Sequence, residues 1–357
     1  MTLAELGWDD RFAAAYEPWQ SKRDVQPGRV AIEFNQIFRV YVDDGELDAV
    51  TAGRLKHRAA SRAELPSVGD WIALRKRASE DRGVILAMLP RRSAFTRRAA
   101  GEPTGEQVVA ANVDVVFIVM GLDGDFNLRR LERYLLMARE SGATPVVLLT
   151  KPDLSADLPA DVAEVVAATG DVPVHVVSPK LNQGLEQVAP YMTAARTAAL
   201  LGSSGVGKST IINRLIGADV QKTREVRESD SKGRHTTTHR ELVVLPDGGL
   251  MIDTPGMREL QLWDASESVR GTFEDVEALA GECHFTDCRH RGEPRCAVKT
   301  AVDEGRIPPD RLASYLHLQD ELAYLARQQD ERAQIEEKRK GKIGAKAMRQ
   351  HVKSKRI

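Results

Sequence analysis

The chain has 357 residues, is 42% hydrophobic and 29% charged, and carries a formal net charge of −1. That composition excludes a disordered or fibrous chain and leaves room for about two or three domains. No apolar run is long enough to span a membrane. The N-terminal stretch, interrupted by Asp9, Asp10 and Arg11, lacks the basic-then-apolar order of a secretory signal, so a cytoplasmic protein with no membrane partner is expected.

Residues 1–27 read as an extension in which Leu6-Gly7-Trp8 and Phe12 to Tyr16 suggest a short amphipathic helix without chemistry. From 28 to 92, short alternating segments predict four or five strands: Val30, Ile32 and Phe34; Phe38, Val40 and Val42; Trp71 to Leu74; Val84 to Met88. Asp43-Asp44-Gly45 is a hairpin turn signal. So many strands in so short a span predict a small all-β barrel of the oligonucleotide-binding (OB) type. Basic residues cluster on it, Arg54, Lys56, Arg58 and Arg62 between strands and Arg91, Arg92, Arg97 and Arg98 beyond the last, and suggest contact with RNA. The stretch 93–106 lacks periodicity and reads as a linker.

Residues 105–265 alternate buried strands with helices, which predicts a parallel α/β sheet. Val113 to Met120 and Pro145 to Leu149 are strands, and Asn127 caps a helix whose Leu128, Leu131 and Leu135 share a face. The second strand runs into Thr150-Lys151-Pro152-Asp153, close to the [N/T]-K-x-D element of guanine recognition. There an aspartate accepts from N1–H and the exocyclic amine, a donor pair that adenine lacks. Ser178 closes the next strand and suits the loop over the base. Gly202-Ser203-Ser204-Gly205-Val206-Gly207-Lys208-Ser209-Thr210 fits the phosphate-loop pattern at every fixed position, between an apolar strand and a helix. Its backbone N–H groups would cradle phosphates, Lys208 would reach the β- and γ-phosphates, and Ser209 would ligate Mg²⁺. The polar segment Gly233-Arg234-His235-Thr236-Thr237-Thr238 suits a switch in which one of the three threonines meets the metal. Asp253-Thr254-Pro255-Gly256 supplies a second Mg²⁺ aspartate and a γ-phosphate glycine.

The order of these motifs is unusual. The guanine reader precedes the phosphate loop, so the circle of elements has been cut elsewhere than in ordinary GTPases. Met257 stands where many relatives of Ras carry a water-orienting Gln, which predicts slow intrinsic hydrolysis and makes His235 the candidate catalytic residue.

Residues 266–335 carry Cys283, Cys288, His290 and Cys296 in the spacing C-x4-C-x-H-x5-C, with His284 as a competitor for the imidazole position. Three thiolates and an imidazole make a structural zinc shell that would staple a small domain. A helical stretch follows from 308, with Leu312, Tyr315, Leu316, Leu322 and Leu325 on one face. The end, 336–357, is basic. From Lys338 to Ile357 there are nine Lys or Arg and no acidic residue, against a body of 42 basic and 52 acidic residues. Such a tail fits a polyanion partner.

The fold class is therefore multidomain: an OB-type barrel, an α/β circularly permuted phosphate-loop GTPase and a C-terminal helical zinc-binding domain. The set T-K-P-D before G-S-S-G-V-G-K-S-T, then G-R-H-T-T-T, D-T-P-G and C-x4-C-x-H-x5-C, resembles the bacterial ribosome small subunit-dependent GTPase A family over roughly residues 28 to 330. The resemblance implies a late maturation factor of the small (30S) ribosomal subunit that binds 16S rRNA and hydrolyses GTP when docked there. It implies that Thr150 to Asp153 hold guanine, that Gly202 to Thr210 hold phosphates, and that His290 rather than His284 joins the cysteines on zinc. A monomer is expected. Thr150 in place of the commoner Asn departs from the family pattern and points to weaker guanine affinity. The rival readings are a phosphate-loop kinase of a small molecule and an RNA-binding module that uses GTP only as a conformational ligand.

Overall fold

A computed structural model describes residues 1–34, 36–43, 45–76, 82–98, 106–203, 205–217, 240–253, 273–316, 318–320 and 323. The chain divides into two units, Met1–Gln261 and Leu262–Ile357. No described helix is long and apolar enough to cross a membrane.

In the first unit, β1 (Val25–Phe34), β2 (Ile37–Val42), β3 (Gly45–Thr51), β4 (Trp71–Lys76) and β5 (Arg82–Met88) close into a barrel in the order β1-β2-β3-β5-β4, with β4 returning to β1. Val42 pairs with Gly45, so the first turn falls where the Asp-Asp-Gly signal lies. Alternate residues, Val30, Phe38, Val40, Val42, Ile72, Leu74 and Ile85, fill the interior. A Cβ on Gly28 would sit 2.6 Å from a Val40 methyl, so close strand approach needs glycine there.

The helix α1 (Asp10–Gln20) is capped by the Asp9 carboxylate, which accepts from the Phe12 N–H. It packs Phe12 against Trp71, with Trp8 edge-on to the same indole at 4.8 Å. The extension is thus a lid on the barrel's β4.

Within the stretch 93–106 expected to be a linker, the described residues 94–98 and 106 belong to strands, and 99–105 lie outside the described residues. β6 (Ala94–Arg98) pairs antiparallel with β7 (Glu106–Ala111), and Phe95 and Val108 are buried. A register shift between Phe95 and Thr96 breaks the alternation of residues that would have marked a strand.

Next come β8 (Val115–Gly121), α2 (Gly53–Arg58) having preceded it within the barrel, then α3 (Leu128–Ser141), β9 (Thr144–Thr150), α4 (Leu158–Thr169), β10 (Val174–Val176), β11 (Thr197–Leu201), α5 (Lys208–Ile216), β12 (Arg240–Val244) and β13 (Leu250–Asp253). The strands lie in the order β10-β9-β8-β11-β13-β12, and all neighbours are parallel except β12 with β13. Every residue of β8 is buried, as a parallel strand covered on both faces requires. Asn127 caps α3 by accepting from the Arg130 N–H.

The two sheets are one. β1 pairs with β4 along Val25–Arg29 and with β12 at Ile32 and Glu33, opposite Glu241 and Arg240. Where the strand passes from one partner to the other, Arg29 turns inward and is 2% exposed. Its guanidinium donates to the carbonyls of Leu6, Gly69 and Asn112 and, at 2.8 Å, to the Thr197 hydroxyl that opens β11.

In the second unit, α6 (Glu274–Ala280), α7 (Ala297–Asp303) and a helix over 309–316 surround a small core of Phe273, Val276, Val298, Ala301, Leu312 and Tyr315. Leu322 and Leu325 lie outside the described residues, as does the basic tail.

Arg91 is not free for RNA. It forms a two-pronged ion pair with fully buried Asp70, at 2.7 Å for each prong, and also donates to the carbonyls of Ala63 and Leu65. Arg92 likewise pairs with Asp9 and lies over the Phe12 ring. Replacing Arg91 with Ala would strand the Asp70 charge and is expected to cost about 3 kcal/mol in chemical denaturation of the full chain. Arg91→Lys should recover only part of that loss, because an ammonium cannot span both oxygens.

Candidate nucleotide site and metal centre

Four parallel strands bring the scattered motifs to one edge. β9, β8, β11 and β13 are neighbours, and their C-terminal ends carry Thr150, Gly121, Leu201 before Gly202, and Asp253. Ligands of open α/β sheets sit at this edge. Ser178 follows β10 on the flank and is held by a bridge to Gln183.

The phosphate loop is shaped by three glycines. Gly202 (φ 152°), Gly205 (φ 76°) and Gly207 (φ 107°) take conformations that L side chains avoid, and a Cβ on Gly202 would meet the Val119 carbonyl at 2.3 Å. Gly207 opens α5, whose Ile211, Ile212 and Ile216 anchor the helix in the core. The N–H groups and dipole of a helix N-terminus favour an anion. Lys208 folds back, donating from Nζ to the carbonyls of Gly202 (2.7 Å) and Ser203 (2.5 Å). Gly205, Ser209 and Thr210 are exposed at the mouth.

The T-K-P-D stretch is tied to this loop. Thr150 is buried, and its hydroxyl donates to the Val206 carbonyl at 2.7 Å. The residue that departs from the commoner Asn thus has a structural use: it joins the base-reading segment to the phosphate loop. Lys151 adopts the left-handed conformation (φ 57°, ψ 48°), and Pro152 begins a short turn that leaves Asp153 exposed. Lys151 Nζ lies 2.6 Å from Asp123 Oδ2. That lysine hydrogen bond holds the Asp123 carboxyl below the usual carboxylate range. Neither Asp123 nor Gly121 stands out in the sequence; an Asp two residues beyond a buried strand is the signal that could have marked it.

Ser204, the switch residues His235 and Thr236 to Thr238, Met257 and Gly256 lie outside the described residues. Asp253 is placed as the last residue of β13, opposite Glu241.

In the second unit, the loop between α6 and α7 gathers Cys283, Cys288, His290 and Cys296, with ligand atoms all within 4.8 Å of one another. His290 Nδ1 lies 3.4 Å from Cys296 Sγ and 3.6 Å from Cys283 Sγ, and those two sulfurs are 3.9 Å apart. Such a cluster could hold a metal ion. Burial pushes the His290 imidazole below its ordinary value, in the direction of the neutral form that a metal ligand needs. His284 faces elsewhere, its ring edge-on to exposed Phe285. The loop is shaped by Glu293, whose carboxylate accepts from the N–H groups of Gly292 (3.0 Å), Arg289 (3.0 Å) and Arg291 (2.8 Å), bonds that lower its carboxyl to about 2. Around it His290 and Arg295 take left-handed backbone conformations.

Residues 88–263 match the RsgA GTPase family. The "Small ribosomal subunit biogenesis GTPase RsgA" of Opitutus terrae is 52% identical over 339 residues, 92% of this chain and 92% of that protein. The "Small ribosomal subunit biogenesis GTPase RsgA 2" of Lactiplantibacillus plantarum is 44% identical over 90% of this chain and 91% of its own. Among solved structures, YjeQ from Thermotoga maritima aligns with a TM-score of 0.63 at 24% identity, over 84% of this chain and 99% of that one. YloQ, described as a circularly permuted GTPase, aligns at 0.60 and 23% identity, over 85% and 97%. These two likenesses establish the fold.

Thr150→Val would keep the shape and remove the bond to Val206. Hydrogen exchange at the Val206 to Lys208 amides in the nucleotide-free protein is expected to speed up by about fivefold, the worth of one buried hydrogen bond. Unchanged exchange would mean that the loop is held by its glycines alone.

Proposed function

Since this chain belongs to the RsgA GTPase family, we propose that it binds GTP at the sheet edge described above and hydrolyses it while docked on the small ribosomal subunit during 30S maturation. The single observation that carries the reading is the convergence of Thr150–Asp153, Gly202, Gly205–Thr210 and Asp253 on the C-terminal ends of strands in one parallel array, β9, β11 and β13.

In this reading the Asp153 carboxylate accepts from guanine N1–H and N2–H₂. The loop N–H groups and the N-terminus of α5 hold the phosphates. Lys208 leaves the Gly202 and Ser203 carbonyls for the β- and γ-phosphates, so its ammonium exchanges neutral acceptors for charged ones. Ser209 and Asp253 hold Mg²⁺, with one of Thr236, Thr237 and Thr238. Ser178 lines the base. His235 positions water, since Met257 has no group to do so. The barrel at 28–92 and the basic tail at 336–357 contact 16S rRNA, with the GTPase at 105–265 and the zinc domain at 266–335. The protein works as a cytoplasmic monomer.

The metal is zinc. A tetrahedral ion with Zn–S near 2.3 Å and Zn–N near 2.0 Å has S···S edges of about 3.8 Å and S···N edges of about 3.5 Å. The distances of 3.9, 3.6 and 3.4 Å among Cys283, His290 and Cys296 fit that frame. The ion would hold a unit whose core is small, and it takes no part in hydrolysis.

Turnover of GTP, with ATP as control, is measured with and without purified small subunits. Strong stimulation confined to GTP is expected, with Lys208→Ala lowering it by roughly a hundredfold. Equal use of ATP, or no response to subunits, would return the kinase and passive-binder readings. For the metal, elemental analysis is expected to find one zinc per chain in the wild type and His284→Ala, and none in His290→Ala. Zinc retained in His290→Ala would refute the assigned shell.

A further inference from the structure

Asp123 belongs to none of the nucleotide motifs, yet the sheet delivers it to one. Gly121 pairs with Thr150, and the Leu122 N–H donates to the Thr150 carbonyl at 2.9 Å, extending the β8–β9 ladder by one step. The next residue, Asp123, therefore lies beside Lys151. Its two oxygens are used separately. Oδ2 meets Lys151 Nζ at 2.6 Å, and Oδ1 accepts from the Asp125 N–H at 3.1 Å. A Cβ on Gly121 would lie 2.5 Å from Oδ1, so the carboxylate occupies room that only a glycine leaves. Lys151 is itself strained: a residue before proline is steered toward extended backbone, but this one is left-handed. Such strain persists only where the surroundings hold it, and it clusters at ligand sites.

We propose that Asp123 is a positioning residue of the nucleotide site: it fixes the Lys151 side chain in advance, so that its methylene stem already forms one wall of the base slot. Asp123 touches no nucleotide atom and acts through Lys151. A free lysine side chain would spread over many rotamers and lose that freedom on binding, whereas a tethered one has lost it beforehand. This rests on the reading that Thr150 to Asp153 hold guanine. The pair is partly exposed, 31% for Lys151 and 25% for Asp123, so its effect is modest.

The test is an equilibrium titration of the full chain with GDP carrying a methylanthraniloyl group on the ribose. Asp123→Asn, which keeps the size and removes the charge, is expected to raise Kd roughly fivefold. Asp123→Glu should recover part of the loss. Gly121→Ala, which displaces the carboxylate without removing it, should reproduce the loss. In the Lys151→Met background, Asp123→Asn should cost nothing further, an outcome that a merely structural role in the turn would not give. Unchanged binding in Asp123→Asn, or losses that multiply in the double variant, would overturn the proposal. So would tighter binding, which would make the pair a latch that the nucleotide must break. Asp153→Asn, titrated in parallel, checks the underlying reading, because an amide there should favour xanthine over guanine nucleotides. If that preference fails to move, the guanine slot itself is misplaced. If it moves while Asp123→Asn binds normally, only the role given to Asp123 falls.

Discussion

The first unit depends on a buried cation. Among the described residues no carboxylate touches Arg29, and burial lowers its pKa to about 10, with Asp114 and Asp70 opposing that effect from a distance. An arginine survives such burial only because its rigid fork can satisfy acceptors in several directions at once. Here those acceptors come from four places in the chain: Leu6 in the extension, Gly69 before β4, Asn112 after β7, and Thr197 at the start of β11. Three of them offer a backbone carbonyl, while Thr197, already paired with Leu250 of β13, offers its side-chain hydroxyl, so the guanidinium ties the start of that ladder to the other three segments. Since β11 runs directly into the phosphate loop, the strand that delivers the nucleotide site begins at the same charge that seals the barrel. The Thr197 N–H is fixed in turn by the Asp114 carboxylate at 2.7 Å.

Much of this was legible in the sequence, and the rest was not, for a physical reason. The phosphate loop, the continuous apolar run of β8, the Asn127 cap and the Asp-Asp-Gly turn are local signals, each written within a few residues. What escaped notice depends on partners far along the chain. Arg91 looked like surface charge because Asp70 is 21 residues away. Thr150 looked like a weakened base reader because its acceptor, Val206, is 56 residues away. β6 and β7 were missed because a register shift erased their alternation. Asp123 was missed because only the β8–β9 register places it beside Lys151. The metal cluster lay between: its spacing left His284 and His290 both open, the family resemblance favoured His290, and the fold gathers His290 with the three cysteines.

The second unit shows a different economy. The three helices named among its described residues enclose few side chains, and the loop between the first two leaves Phe285 exposed. Order there comes from polar anchors: Glu293 gathering N–H groups, Arg311 held by the Asp275 carboxylate at 2.5 and 2.8 Å above the Phe273 ring, and the Tyr315 hydroxyl on Glu277 at 2.7 Å. A four-ligand centre suits such a unit, because a coordinated ion supplies in a few bonds what a larger domain obtains from buried area.

The shared strand β1 has an evolutionary consequence. A barrel cut away after residue 92 would bare the backbone of Ile32 and Glu33, a ready template for strands of other molecules. The nucleotide-binding half, freed in turn, would expose the outer side of β12. Neither half is a tidy module for recombination, and a lineage that acquired one without the other would inherit an adhesive edge. The two are better viewed as a single heritable object, whose parts can diverge in sequence but not in company.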